Sequence, residues 1–152
     1  MKKSIITISL IFACVFAYAQ ATETELVRSV FKLEKKALVA DFLQLSNDDA
    51  TKFWPIYEKY EQERSAIGTR RIALLESYVN KYDKMDDVSL DALVKESGSI
   101  QSKEVSLREK YYKTVKKSVS TSVAARFYQV EDLINVGVRM ELYEALPMLQ
   151  GK

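Results

Sequence analysis

The chain has 152 residues, a formal net charge of +2, no histidine and a single cysteine, Cys14. Because Cys14 lies in an apolar N-terminal segment, a chain processed after that segment would have no disulfide and no thiol nucleophile. It would also lack the usual zinc and copper ligands and the imidazole base of a Ser-His-Asp triad. We therefore predict a protein that is not an enzyme and that carries no cofactor and no metal.

Residues 1–19 have the pattern of a cleavable secretory signal peptide. Two lysines precede an apolar run at residues 5–16, and Ala17-Tyr18-Ala19 provides a small-x-small cleavage site. The run is short for a bilayer span of about 20 residues. We expect a mature chain that begins at Gln20, is periplasmic or secreted, and has no transmembrane anchor after cleavage. A retained anchor and lipid attachment at Cys14 are the alternatives.

Cleavage would also change the charge of the chain. Loss of Lys2 and Lys3 leaves 21 basic and 21 acidic residues. A neutral chain has no excess of positive charge to attract a phosphate backbone, so we predict no nucleic-acid partner.

Apolar residues recur at three- and four-residue steps through residues 20–152, a period typical of helices. We predict one all-α domain of about four helices, arranged as an elongated bundle or as a bent antiparallel hairpin whose halves interlock. The predicted helices run over residues 23–44, from residue 47 to a connecting turn at 81–87 and over residues 89–118. The fourth follows Ser120 or Thr121 and is stopped by Pro147.

Three of these helices carry features with structural consequences. The second has Ser46 as a predicted N-cap, and Pro55, beyond its first turn, should kink it. The third has a weakly apolar middle at residues 97–103, which predicts either a bend or a wall of a groove. The fourth is the most apolar part of the mature chain, so we expect it to be the most buried.

A thirteen-residue pattern occurs at residues 46–58 and again at residues 120–132, 74 positions later. Each copy opens a predicted helix and places an aromatic pair at its eighth and ninth positions, which suggests two related helical openings that lock together. The residues assigned to this structural motif are Ser46, Asp49, Phe53, Pro55, Ser120, Phe127 and Tyr128.

Tyrosine is abundant, and it offers apolar area with a polar tip. We predict a partner-binding helical face that contains some or all of Trp54, Tyr57, Tyr60, Tyr78 and Tyr111. The alternative for the tyrosines is packing between helices, and for Trp54 it is a core position.

Residues 45–50 (LSNDDA) and 119–124 (VSTSVA) resemble degenerate copies of the paired LTxxQ element of the Spy/CpxP-type periplasmic proteins. Residues 52–60 (KFWPIYEKY) also resemble small exported proteins of Bacteroidetes-type bacteria that are described as sigma-factor sensors. The glutamine of the element is replaced by Asp49 in the first copy and by Val123 in the second. Asp49 could still close a capping box, whereas Val123 cannot.

The resemblance implies an all-helical protein that holds unfolded envelope proteins without ATP or that senses envelope stress. Its partners would be envelope proteins or unfolded clients. A homodimer is a further candidate arrangement, which the resemblance does not decide. The competing hypothesis is a structural or adaptor protein that docks one envelope partner and has no general chaperone activity.

Overall fold

The computed structural model describes residue 32 and residues 34–149. The chain divides into two compact units, Met1–Asp41 and Phe42–Lys152, and the contacts given below belong to the second unit. The predicted signal peptide and the start of the first predicted helix lie outside the described residues. The predicted all-α fold is confirmed, because the described residues form four α-helices and one short 3-10 helix, with no strand.

The first described helix, α1, covers residues 34–43 and ends one residue before the predicted boundary. Gln44 has a φ of 43°, which lies in the left-handed region and cannot continue a right-handed helix. The Arg126 guanidinium donates a hydrogen bond to the carbonyl oxygen of Leu43. That bond satisfies one of the carbonyl groups that a helix C-terminus leaves without an intrahelical donor.

The second helix, α2, spans Asn47–Lys81, and its 35 residues extend over about 52 Å. Ser46 is its N-cap as predicted, because its Oγ accepts a hydrogen bond from the Asp49 backbone N–H at 3.2 Å. Pro55 lies within the helix, where its ring nitrogen cannot donate to the carbonyl of Thr51. The helix nevertheless continues unbroken through Pro55 to Lys81.

A 3-10 turn at Tyr82–Lys84 leads into the third helix, α3, which spans Asp87–Ser118. It begins two residues before the predicted start because Asp86 is the N-cap: its Oδ1 accepts from the Ser89 backbone N–H at 2.9 Å. Hydrogen bonding to Ser89 also lowers the pKa of Asp86. The acidic pair at this turn is thus explained by local helix capping.

The fourth helix, α4, spans Thr121–Glu144. Ser120 is its N-cap, with the Val123 backbone N–H donating to Ser120 Oγ at 3.1 Å, which decides between the two predicted starts. The helix ends three residues before Pro147, since the residue that precedes a proline disfavours the helical conformation.

Helices α2 and α3 form an antiparallel pair. Their ion pairs join Arg70 to Glu96 at 2.6 Å, Arg71 to Glu104 at 2.5 Å and Lys110 to Glu63 at 2.7 Å, so positions late in α2 meet positions early in α3. The order of these pairs is what a helical hairpin requires.

Helix α4 packs antiparallel to α3. Arg108 pairs with Asp132 at 2.8 Å, and the rings of Tyr112 and Tyr128 meet edge to face with their centroids 6.1 Å apart. The Arg108 guanidinium also lies over the Tyr128 ring, 4.8 Å from its centroid. Tyr128, predicted to lock the two halves of the chain, therefore contacts α3.

Helices α2 and α4 run parallel, and long side chains join them.

The prediction that α4 is the most buried helix is wrong for its second half. Leu133, Val136, Met140 and Tyr143 are exposed there. Their spacing puts them on one face of α4, while the first half of the helix supplies the buried contacts.

Within the described part of the chain, none of the helices has the length and apolarity that a membrane span requires.

Candidate functional site

The structure corrects the prediction of an accessible tyrosine face. Tyr57, Tyr60, Tyr78 and Tyr111 are only 3%, 1%, 7% and 5% exposed. Side chains that are covered to this degree pack between helices, which was the alternative, and they offer no surface to a partner in this structure. Trp54 is half-buried, which places it between its two predicted environments.

Tyr57, Tyr60 and Tyr111 belong to an aromatic cluster that they form with Phe53 and Phe127. Phe127 lies edge to face against Tyr60 at 5.1 Å and against Phe53 at 6.0 Å between ring centroids. Tyr60 also meets Tyr111 at 5.4 Å, so the cluster joins α2, α3 and α4. Such edge-to-face pairs add to the stability that burial of the rings provides.

The repeated pattern meets itself in this cluster. Phe53 and Phe127 occupy equivalent positions of the two copies, and they are in direct ring contact. Tyr57 and Glu131 are also equivalent, and the Tyr57 hydroxyl donates to Glu131 Oε1 at 3.0 Å. The prediction that the two helical openings lock together is therefore correct for Phe53 and Phe127.

Glu131 is the polar centre of the aromatic cluster and is completely buried. Besides Tyr57, the Tyr60 hydroxyl donates to Glu131 Oε2 at 2.8 Å. Burial, together with the negative charge of Glu131, raises the pKa of Tyr57 and of Tyr60 far above the ordinary value for tyrosine. Both phenols therefore stay protonated and keep donating to the carboxylate.

Tyr111 has a polar partner at the margin of the same cluster. Its hydroxyl donates to Glu63 Oε1 at 2.8 Å, and Lys110 Nζ donates to the same carboxylate. Burial and the bond to Glu63 raise the pKa of Tyr111 to about 12. The hydrogen bonds from Lys110 and Tyr111 lower the pKa of Glu63. The tyrosine hydroxyls of the cluster are thus hydrogen-bonded, as expected for polar groups in a stabilising core.

Trp54 lies on the rim of the aromatic cluster. Its indole meets Phe53 at 5.1 Å and Tyr57 at 5.5 Å, both edge to face. This position supports the cluster from outside and leaves part of the indole accessible. Of the predicted partner-binding residues, Trp54 is the one that keeps some solvent access.

A second region, at the opposite end of the α2–α3 hairpin, has a different character. An open cleft of about 590 Å³, here called the hairpin-end cleft, lies between the last turns of α2, the first half of α3 and the chain that follows α4. Leu74, Leu75 and Tyr78 line it from α2, and Leu93 lines it from α3. Its volume and apolar walls are typical of ligand-binding sites.

The cleft is open because α3 has small residues on its wall. Ser97 and Gly98 line it, and a Cβ atom added to Gly98 would meet nothing within 4 Å. The weakly apolar middle of α3 was predicted either to bend or to face a groove, and the structure confirms the groove. Gln101 and Arg71 bring polar groups to the cleft, and Arg71 is paired with the buried Glu104.

The third wall of the cleft is a C-terminal strap, Ala145–Leu149. Leu146, Pro147, Met148 and Leu149 all line the cleft. The Tyr78 hydroxyl donates to the Pro147 carbonyl oxygen and the Tyr82 hydroxyl to that of Met148, each at 2.5 Å. Tyr78, which was predicted to bind a partner, thus lies at this cleft and is covered by the strap.

The sequence interpretation did not identify the strap. The signal that could have found it is a run of apolar residues, Leu146 to Leu149, which spans the predicted end of the fourth helix and is interrupted by Pro147. Such a run cannot extend the helix and must lie against another surface or stay in water. The sequence does not show that the strap lies over α2 and α3, because this depends on how α2, α3 and α4 are arranged in space.

The hairpin-end cleft is suited to binding, since its lining consists of aliphatic and aromatic side chains with few polar groups. Apolar walls bind a ligand because binding removes apolar surface from water. Such contacts do not orient a bond of the ligand for a reaction. Compared with family models, with curated proteins and with solved structures, the chain matches none of them. The resemblance to the Spy/CpxP-type proteins accordingly stays a prediction.

Proposed function

We propose that this chain is an exported, ATP-independent binding protein of chaperone or envelope-stress-sensor type that holds apolar segments of other proteins at the hairpin-end cleft. The observation that carries the proposal is the cleft itself: about 590 Å³ of open space between leucine-rich helix faces. A fold that leaves such space open forgoes dispersion contacts and burial that packing would supply. Binding a partner recovers them.

Exposed apolar side chains beside the cleft support the same proposal. Tyr143 lines the cleft and also ends the exposed stripe of α4 that begins at Leu133. Val94 lines the cleft from α3 and is largely exposed. An apolar surface that is reachable from solvent and edged by charged helix faces is typical of protein-binding regions.

The proposed compartment rests on the N-terminal sequence. The lysines, the short apolar run and the Ala17-Tyr18-Ala19 site support export and cleavage before Gln20. Mass spectrometry of the chain recovered from an envelope fraction should give a mature N-terminus at Gln20. Recovery of the intact 152-residue chain would contradict the proposal of a cleaved leader.

Light scattering tests the holding activity. The mature chain is mixed at near-equal molar ratio with several aggregating client proteins, and we expect suppression of scattering without ATP. Gly98→Trp, which puts an indole at the cleft wall, should weaken the suppression at least several-fold. Gly68→Trp is the matched control, because Gly68 is also a helical glycine with no atom within 4 Å of an added Cβ and it does not line the cleft.

The outcomes separate the parts of the proposal. If no client is protected, the chain has no general holding activity. If protection survives Gly98→Trp as well as it survives Gly68→Trp, clients bind elsewhere on the surface. Circular dichroism spectra of both variants should match that of the parent chain, so that loss of activity is not loss of fold.

The second function, a dedicated adaptor for one envelope partner, is favoured by a different observation. The tyrosines that would have formed a broad adaptable face are buried, and the hairpin-end cleft is small and shaped by a specific strap. A small shaped site favours one short segment over many clients. Recovery of one stoichiometric envelope protein in a pull-down, lost with Gly98→Trp, together with no client protection would establish this function.

A further inference from the structure

The strap is held at the cleft through its main-chain carbonyl groups, which every polypeptide has. Tyr78 and Tyr82 donate to the main-chain carbonyls of Pro147 and Met148, two consecutive residues. Main-chain recognition by side-chain donors does not depend on the sequence of the guest. The apolar residues of the strap line the cleft beside these bonds, and peptide recognition likewise combines main-chain hydrogen bonds with contacts to side chains.

The strap is also loosely held. Its residues after Leu146 have no regular secondary structure, and its backbone bonds to α4 are those of the helix end, from Ala145 to Glu141 and from Leu146 to Tyr143. Met148 and Leu149 remain 81% and 54% exposed although they line the cleft. Release of the strap would therefore break no helix and expose little more of these two side chains.

From these contacts we infer that the strap Ala145–Leu149 is a removable wall of the hairpin-end cleft, and that a partner takes its place on Tyr78 and Tyr82 with a short, extended, apolar peptide segment of its own. The inference rests on the proposed function and specifies its ligand: a segment with aliphatic side chains whose main-chain carbonyls accept from Tyr78 and Tyr82. The strap then limits binding, because only molecules whose strap is displaced can bind the segment. The apparent affinity is therefore reduced in proportion to the fraction of molecules with a displaced strap.

Strap and guest compete for one site, so removing the strap should strengthen binding. The probe is a fluorescently labelled Ala-Leu-Pro-Met-Leu peptide, the sequence of residues 145–149, and the readout is fluorescence anisotropy. A chain that ends at Glu144 should bind the probe at least tenfold more tightly than the full mature chain does. Equal affinity for the two chains would overturn the inference.

A full-length variant guards against loss of fold on truncation. Leu146→Ser with Leu149→Ser weakens the apolar contacts of the strap and leaves α2 and α3 unchanged. It should bind the probe more tightly than the parent chain, by about threefold to tenfold, because fewer molecules have the strap in place. Val88→Ser is the matched control, since Val88 is an exposed apolar residue outside the cleft. If the strap variant and the control bind alike, the strap is not a competitor.

The two tyrosine donors give an independent test. In the chain that ends at Glu144, or in the serine variant, Tyr78→Phe and Tyr82→Phe should each weaken probe binding by about threefold to tenfold, the usual effect of one hydrogen bond. Tyr112→Phe is the control, because Tyr112 contacts Tyr128 on the face between α3 and α4. Unchanged probe affinity in both donor variants would contradict the proposed main-chain recognition.

The light-scattering assay separates this inference from the proposed function. If the full chain protects clients and the strapless chain protects them no better, the function stands and the competition by the strap is refuted. If the strapless chain binds the probe tightly and neither chain protects a client or captures a partner, the strap does compete and the proposed holding function fails.

Discussion

The two ends of the second unit contain similar residues, which form a packed core at one end and border an open cleft at the other. At the aromatic cluster, rings from three helices interlock and their hydroxyls donate to Glu131 and Glu63. At the hairpin-end cleft, Tyr78 and Tyr82 have the same chemistry, yet they hold an exposed strap over about 590 Å³ of open space. Tyrosine content alone therefore does not identify a binding surface.

The difference lies in what the facing helix supplies. Opposite α2, α4 supplies Phe127 and Glu131 at the cluster, which fill the space and satisfy the hydroxyls. At the cleft, α3 supplies Ser97 and Gly98, which are too small to fill the space and leave the cleft open. We expect stability to be concentrated at the cluster and binding at the cleft, and four predictions test this division.

The largest effect should follow from removing a ring of the cluster. Phe127→Ala leaves a cavity among Phe53, Tyr57 and Tyr60 and should lower the free energy of unfolding by about 3–5 kcal/mol. Leu75→Ala at the half-buried cleft wall should cost only about 1–2 kcal/mol. Urea denaturation measures both, and equal losses would contradict the division between the two ends.

The next effect concerns the buried carboxylate. Glu131→Gln keeps the shape of the side chain, but its amide has one acceptor oxygen for two tyrosine donors. We expect a loss of about 1.5–3 kcal/mol in the free energy of unfolding, the range for hydrogen bonds to charged groups. Glu109→Gln, at an exposed position of α3, should change it by less than about 0.5 kcal/mol. A Glu131→Gln variant as stable as the control would show that the carboxylate is dispensable.

The buried tyrosines also predict sensitivity to alkali. Tyr57 and Tyr60 have pKa values raised by burial and by Glu131, so the unfolded chain loses their protons above about pH 10 while the folded chain keeps them. Their contribution to stability is therefore complete below about pH 10 and declines as the pH rises. At pH 11 each tyrosine should cost about 1.4 kcal/mol relative to neutral pH.

Urea unfolding at several alkaline pH values measures this decline, and phenolate absorbance follows the ionisation. Tyr60→Phe should reduce the dependence on pH by the share of one tyrosine. If the unfolding free energy stays constant from pH 9 to pH 11, these phenols ionise equally in the folded and unfolded chains, and the description of the cluster is wrong.

The smallest effect is a gain at the cleft. Gly98→Ala adds a methyl group that meets nothing within 4 Å, and alanine is the better helix former, so stability should rise by about 0.5–1 kcal/mol. Gly137→Ala in α4 should give a similar gain, since its added Cβ is equally free. Thermal denaturation compares the two. A loss at Gly98 alone would mean that the cleft wall is already closely packed.

The local signals in the sequence predicted much of the fold. Helix periodicity predicted an all-α chain, Ser46 predicted the start of α2 to the residue, and α4 begins after Ser120, one of its two predicted N-caps. The repeated pattern predicted that Phe53 and Phe127 mark the interlocking helical openings. These features are readable because capping and periodicity depend on residues within one or two turns.

The same reasoning failed for the binding residues. Tyr57, Tyr60 and Tyr111 lie on helix faces that periodicity identifies, but the sequence does not show which neighbouring helix covers each face. The burial of Tyr57 and Tyr60 follows from Phe127 and Glu131, which are more than 60 residues away along the chain, and Tyr111 packs against Tyr60. For the same reason the apolar second half of α4 was wrongly predicted to be buried.

By itself, the sequence determined the helices, their caps and the weakly apolar middle of α3, because these depend on neighbours along the chain. Only the tertiary structure decided which tyrosines are core and which hold the strap, since burial depends on the side chains that other helices bring to the same place. Phe127 and Glu131 fill the space beside α2 at the aromatic cluster. Ser97 and Gly98 leave the other end open, and the strap covers it.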